Sequence, residues 1–196
     1  SALGRAARMA VHEQRRHGRA LGQPWGISES AHAVTDRTLA YQYAPQGVPR
    51  LAQRRTSTDE QVVAPYATAL AAMCDARSAV RNLQRLQALQ MRSPWGFFEA
   101  LDFTRSRQHD DQPCTRVQTY MAHHQGMTLV ALANVLLDGL PRRWAMAGAR
   151  FAAVAPLLHE SVPREVSRQR AQPPVATARR DPAAKQTPRR EVLPSD

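Results

Sequence analysis

The sequence predicts an all-α fold in which helical hairpins alternate with long loops that shape a cleft. Apolar residues recur at three- and four-residue steps in several segments, and period-two alternation is scarce. Loops rich in Pro and Gly separate the helical stretches. A chain of 196 residues is long enough for one domain with a real core. Leu3, Ala6, Ala7, Ala10 and Val11 mark a first helix, with Gly18 and Gly22 as its expected stops. The loop QPWGISES follows, and Thr38 to Arg55 contains the aromatic, irregular stretch YQYAPQGVP, expected as an ordered surface loop.

Pro65 suits the first turn of a helix, and Tyr66 to Met73 is so apolar that this helix should be buried. Ser78 to Gln90 places Val80, Leu83, Leu86 and Leu89 on one face, an amphipathic helix. A second breaker-rich loop reads RSPWGFFEALDFT. Val117 to Leu137 is the longest helical signal, ended by Asp138-Gly139 and Pro141, and its tail TLVALANVLLDG should be central. Ala149 to His159 is a last short helix. From Pro163 onward prolines, arginines and small residues replace large apolar ones, and such a segment cannot offset its ordering entropy. The expected organisation is therefore a folded domain, 1–162, and a disordered tail or linker, 163–196.

The formal charge of +11 raises nucleic-acid binding as a reading. Lys185 is the single lysine, the arginines look scattered in sequence, and the alanine-rich composition points to a genomic bias; no nucleic-acid partner is expected. Cys74 and Cys114 form no CxxC pair, so no structural metal site is expected. Neither a signal-peptide core nor an apolar run long enough to span a membrane is present, and the chain by itself reads as soluble and cytoplasmic. It starts without Met, inside a helical pattern, as a fragment would.

The two loops rhyme: Pro24-Trp25-Gly26 and Pro94-Trp95-Gly96 each precede a glutamate by three residues, Glu29 and Glu99. A tryptophan face stacks on a sugar ring. Paired carboxylates supply a general acid and a nucleophile or base for a glycosidic bond, and Phe97 and Phe98 would favour a protonated Glu99. The plainer alternative makes each tryptophan a core anchor and each glutamate a charge at a helix N-terminus. His123 and His124 sit in YMAHHQGM; adjacent helical residues diverge by about 100°, so they do not share one metal. One of them should face a polar cleft. Asp102 reads more readily as part of a surface or ionic network, with Arg105 and Arg107 close by. No phosphate loop, dinucleotide fingerprint or Ser-His-Asp spacing appears, and no cofactor is expected.

PWGISESAHAVTDRTLAYQYAPQGVP, VVAPYATALAAM, PWGFFEALDFTRSR and YMAHHQGMTLVALANVLLDG resemble, in order, signature blocks of one family. It is the glycoamylase-like domain of cyclic β-1,2-glucan synthases, of which the chain resembles the carboxyl-terminal half. The resemblance implies part of an (α/α)6 barrel that cuts a linear β-1,2-glucan and rejoins its ends by transglycosylation. Carried over by motif, Glu29 would be the nucleophile and Glu99 the general acid/base. Trp25, Trp95, Tyr41, Tyr43, Asp102, His123, His124 and Gln125 would contact substrate. Implied partners are a β-glucan, the other half of the barrel and further synthase domains, and full-length members associate with the bacterial inner membrane. The alternative is an inactive remnant that binds glycan or packs on a partner chain.

Overall fold

The computed structural model describes residues 2–51, 59–109 and 111–159. All belong to the first of two units, Ser1–Ser161 and Val162–Asp196. The expected tail, 163–196, lies outside the described residues.

Helix α1 spans Ala2–Ala20 and α2 spans Pro65–Ala71. Helix α3 is Ala76–Ala88, α4 is Ala122–Leu136, α5 is Leu140–Ala147 and α6 is Ala149–Val154. Gly18 does not stop α1. It is where the helix meets the following loop: a Cβ there would lie 2.8 Å from Trp25 Cβ. Helix α2 begins on Pro65 as expected, buries Pro65, Tyr66, Thr68, Ala69 and Ala71, and packs on α3 and α4. Asp75 caps α3 by accepting from Ser78 N at 3.0 Å, and pairs with Arg15 of α1 at 2.8 Å. One carboxylate thus satisfies a helix end and ties two helices; such a cap contributes about 1 kcal/mol.

The all-α expectation, and with it the assignment to part of an (α/α)6 barrel, does not hold. The described residues carry seven strands in three antiparallel sheets. Strands β1 (Ser30–Thr35) and β2 (Tyr41–Ala44) form a hairpin whose register shifts between Ala31 and Thr35. Strands β3 (Val62–Val63), β6 (Ala100–Asp102) and β7 (Thr115–Val117) form a three-stranded sheet with β6 in the middle. Strands β4 (Arg92–Ser93) and β5 (Gly96–Phe97) make the smallest pair. Six of the seven have four residues or fewer, too short for alternation to show in the sequence. Burial and backbone pairing hold them instead.

The central sheet organises the core by the period of two that a strand imposes. Val62, Ala100 and Val117 pack with Ala31, whereas Val63 and Leu101 pack with Ile27, Val48, Leu86 and Met91. Leu86, Met91 and Leu101 are fully enclosed; each such burial contributes roughly 1.5–3 kcal/mol. Helix α4 departs from expectation twice. Its predicted first residues instead form β7 and a turn, and its apolar tail is not central. Only His124 and Ala131 of α4 are buried, while Leu129 and Leu136 are 68% and 80% exposed. Trp144 of α5 and Phe151 of α6 are also exposed.

Candidate active site

The two Pro-Trp-Gly loops share a backbone feature and differ in everything else. Gly26 and Gly96 adopt φ of +121° and +112°, a region that favours glycine. Pro94-Trp95 forms the tip of the β4–β5 hairpin, and Trp95 is 83% exposed. Trp25 is 7% exposed and packs against Ala71, Ala72 and Ala79. Trp95 is therefore free to meet a ligand face, whereas Trp25 is a core anchor.

Amide side chains pin the Trp25 loop. Trp25 N donates to Asn82 Oδ1 at 3.1 Å, and Asn82 Nδ2 donates to Trp25 O at 2.7 Å and to Thr68 Oγ1 at 2.9 Å. Gln14 Oε1 accepts from Gly26 N and Ile27 N at 3.2 and 3.0 Å. Glu29 follows directly on this fixed backbone, and its own side chain is exposed.

Glu99 lies just before β6 and is 2% exposed. Its Oε1 receives His124 Nδ1 at 2.8 Å and Ala31 N at 3.3 Å. Its Oε2 is buried with no hydrogen-bond partner among the described residues. His124, in the first turn of α4, is held between neighbours. The Tyr66 ring stacks on it at 3.8 Å between centroids, and its Nε2 faces the Tyr43 hydroxyl at 3.4 Å. Tyr66 itself is anchored by Ser28 Oγ at 2.7 Å and by donation to Glu29 O at 3.1 Å.

Both carboxylates act on both phenols. Burial first, then the charge of Glu29, the Tyr66 phenol and the charge of Glu99, push the Tyr43 hydroxyl up to about 12. Tyr66 is raised by burial, opposed by its hydrogen bond with Ser28 and reinforced by Glu29 and Glu99. Tyr43, Tyr66, His124 and Glu99 form one cluster, which the Glu29 backbone carbonyl joins through Tyr66. A cavity of about 350 Å³ opens beside it, lined by Tyr66, Trp95, Phe97, Glu99, His124 and Gln125 among others. Glu29 is not part of that lining.

Of the other expected site residues, Gln125 lines this cavity and Tyr41, Asp102 and His123 do not. Tyr41 packs with Ala33 and Met121 against the sheet core. Asp102 is wholly enclosed and accepts from Ala33 N and Thr104 N, both at 2.9 Å, and from Arg107 Nε at 2.7 Å. Burial pushes its carboxyl up, but the hydrogen bonds from Arg107, Ala33 and Thr104 outweigh that and hold it below the usual range. Arg107 is shared with Glu60 at 2.6 Å, so Asp102 belongs to an internal ionic network, with no lone pair turned to the cavity. His123 is exposed and lies tilted at 4.0 Å against His124; Gln125 donates to Phe97 O at 3.1 Å. The arginines are less scattered than the sequence suggests: Arg15, Arg19, Arg81 and Arg85 line an open cavity of about 520 Å³ above Trp25.

Tyr66 and Asn82 were not among the expected site residues. A tyrosine in an otherwise apolar helix needs a partner for its hydroxyl, and that was the available signal for Tyr66. Asn82 offered a weaker one, a lone amide on the apolar face of α3.

Comparison with known proteins gives the family. The Glycoamylase family model, described as "Putative glucoamylase", matches residues 6–147. Cyclic beta-(1,2)-glucan synthase NdvB of Rhizobium meliloti (strain 1021) is 42% identical over 182 residues, 93% of this chain. The chain spans only 6% of the length of that relative. No helix among the described residues is long and apolar enough to cross a membrane. With the family model covering most of the chain and a relative 42% identical over 93% of it, the chain belongs to the glycoamylase family of carbohydrate-active enzymes.

Proposed function

We propose that this chain supplies the glycoside-cleaving centre of a β-1,2-glucan-processing enzyme, with Glu99 as general acid/base and Glu29 as nucleophile. The observation that carries this reading is the buried Glu99–His124 pair at the wall of a cavity rimmed by Trp95. Glu99 Oε1 is committed to His124 and Ala31, which leaves Oε2 as the atom to exchange a proton with a glycosidic oxygen. Glu29 is taken as the second carboxylate; its backbone carbonyl accepts from Tyr66, whose ring stacks on His124. Trp95 offers the stacking face and Gln125 a polar edge within the cavity. A β-1,2-linked substrate is favoured because the relative at 42% identity is a cyclic beta-(1,2)-glucan synthase. The exposed apolar side chains of α4 to α6 support a further part of the reading, that these helices pack on other regions of a longer polypeptide.

The test is turnover of linear β-1,2-glucan by wild type and by Glu99→Gln and Glu29→Gln. Each substitution should lower kcat by at least 10²-fold while glucan binding stays within a few-fold, as removal of an acid/base or nucleophilic group does. Turnover that survives either change would remove that residue from the pair. Glucan binding without turnover in the wild type would favour an inactive glycan-binding module.

A further inference from the structure

We infer that the open, arginine-lined cavity at Trp25 is a binding site for a small phosphate-bearing molecule. Arg15 and Arg19 reach it from α1, and Arg81 and Arg85 from α3. Each pair is spaced i, i+4, so its two members lie on one face of their helix. The cavity measures about 520 Å³, a size common among small-molecule sites. Among the described residues it shares no lining residue with the cavity beside Glu99, and the inference does not rest on the proposed function.

The charges around this cavity do not balance. No acidic side chain of the described residues lines it. Asp75, just outside the lining, pairs with Arg15 at 2.8 Å and spends its other oxygen on Ser78 N. Arg85 donates to the Gly22 carbonyl at 3.0 Å, a neutral partner. Arg19 and Arg81 make no side-chain hydrogen bond or ion pair among the described residues. Like charges at i, i+4 weaken a helix, so this arrangement is not one that α1 and α3 favour by themselves. The helix dipole accounts for Arg19 and Arg85, each in the last turn of its helix. Asp75 accounts for Arg15. Neither accounts for Arg81, nor for the gathering of all four guanidinium groups about one hollow.

A compact group with two or more negative charges supplies what is missing. A carboxylate carries one charge, whereas a phosphate ester carries nearly two at neutral pH and a pyrophosphate more. Phosphate oxygens also match the planar fork of a guanidinium, which can donate two parallel hydrogen bonds to them. The volume of the cavity leaves room for the organic part of the molecule beside its phosphate. The bound ligand joins α1 to α3, in addition to the Arg15–Asp75 pair that already ties them. Because it binds the folded chain, it raises the melting temperature.

The experiment is calorimetric titration of the chain with pyrophosphate, and with inorganic phosphate as the weaker probe. Wild type should bind pyrophosphate saturably at one site. Arg19→Gln combined with Arg81→Gln should weaken that binding about tenfold or more, as loss of hydrogen bonds to a charged group does. The exposed Arg37, on the β1–β2 turn, provides the charge-matched control: Arg37→Gln should stay within about twofold. Arg19→Lys combined with Arg81→Lys keeps the charge and the helix propensity but removes the forks, and should still lose about threefold or more. No saturable binding by wild type, an equal loss in the Arg37 control, or full affinity in the double-lysine variant each overturns the proposal. So does failure of pyrophosphate where a single-stranded oligonucleotide binds and is lost in the double-glutamine variant, because the cavity is then a nucleic-acid contact.

Discussion

Asn82 is the most informative single side chain to remove. It is 1% exposed and holds the Trp25 backbone on both sides, through Trp25 N and Trp25 O, while also donating to Thr68. Asn82→Ala strips Trp25 N–H of its acceptor, and an orphaned buried donor costs about 1–3 kcal/mol. Trp25 O keeps a partner, since Thr68 Oγ1 donates to it at 3.3 Å. The void left by the amide adds a smaller term, so the total is about 2–4 kcal/mol. In a domain of this size that lowers the melting temperature by roughly 5–12 °C. Asn82→Asp keeps the shape and the acceptor but turns an oxygen toward Trp25 O, now 2.7 Å from the Asn82 nitrogen. It should destabilise at least as much as Ala, despite its closer shape. Circular-dichroism melts of the three proteins decide the matter. If Asn82→Ala melts within 1–2 °C of wild type, the shift expected from well under 1 kcal/mol, or if Asp is the milder change, the clamp does not exist as described.

The two tryptophans should separate cleanly. Trp25→Ala should cost about 3–5 kcal/mol of stability. Trp95→Ala should leave stability within about 0.5 kcal/mol and weaken glucan binding about 2- to 10-fold, the worth of an aromatic face; melts and glucan titrations distinguish them. Acid should lower the stability of the domain in two stages. His32 is held below its usual value by burial and then by Arg107, so the unfolded chain binds the proton more readily, and stability falls as pH drops below about 6.5. Asp102 is depressed in the folded state, so its contribution is complete above about 3.9 and is lost as pH falls through its folded value. Melting temperature against pH should show both stages, and Asp102→Asn should remove the lower one.

Helices were legible where amphipathic periodicity ran for three turns or more, as in α1 and α3. They were misplaced where apolar content alone suggested one, as at Val117, whose side chain completes a strand. Strands of two or three residues carry no period, so the three sheets could not be read. Glu99 and His124 were visible as chemistry, but their 2.8 Å contact joins residues 25 apart, and no local pattern encodes that. The tripeptide Pro-Trp-Gly announced two alike loops. Its glycines do share a backbone conformation, but one tryptophan is inside and the other outside. That difference is set by what lies opposite: a hollow of small residues, Ala71, Ala72 and Ala79, for Trp25, and a hairpin tip for Trp95.

The contacts that assemble the site span long stretches of chain: 68 residues from Ala31 to Glu99 and 81 from Tyr43 to His124. Closing such loops costs entropy before any contact repays it, so these pairings belong to the late, slow part of folding. Helix α1 can form on local contacts alone, but the cluster around Glu99 waits for the first turn of α4. During synthesis, therefore, the nascent chain presents Glu29 and Tyr43 long before their partners have been made. Any pause ahead of His124 would leave an ordered amino-terminal segment with its chemistry not yet assembled.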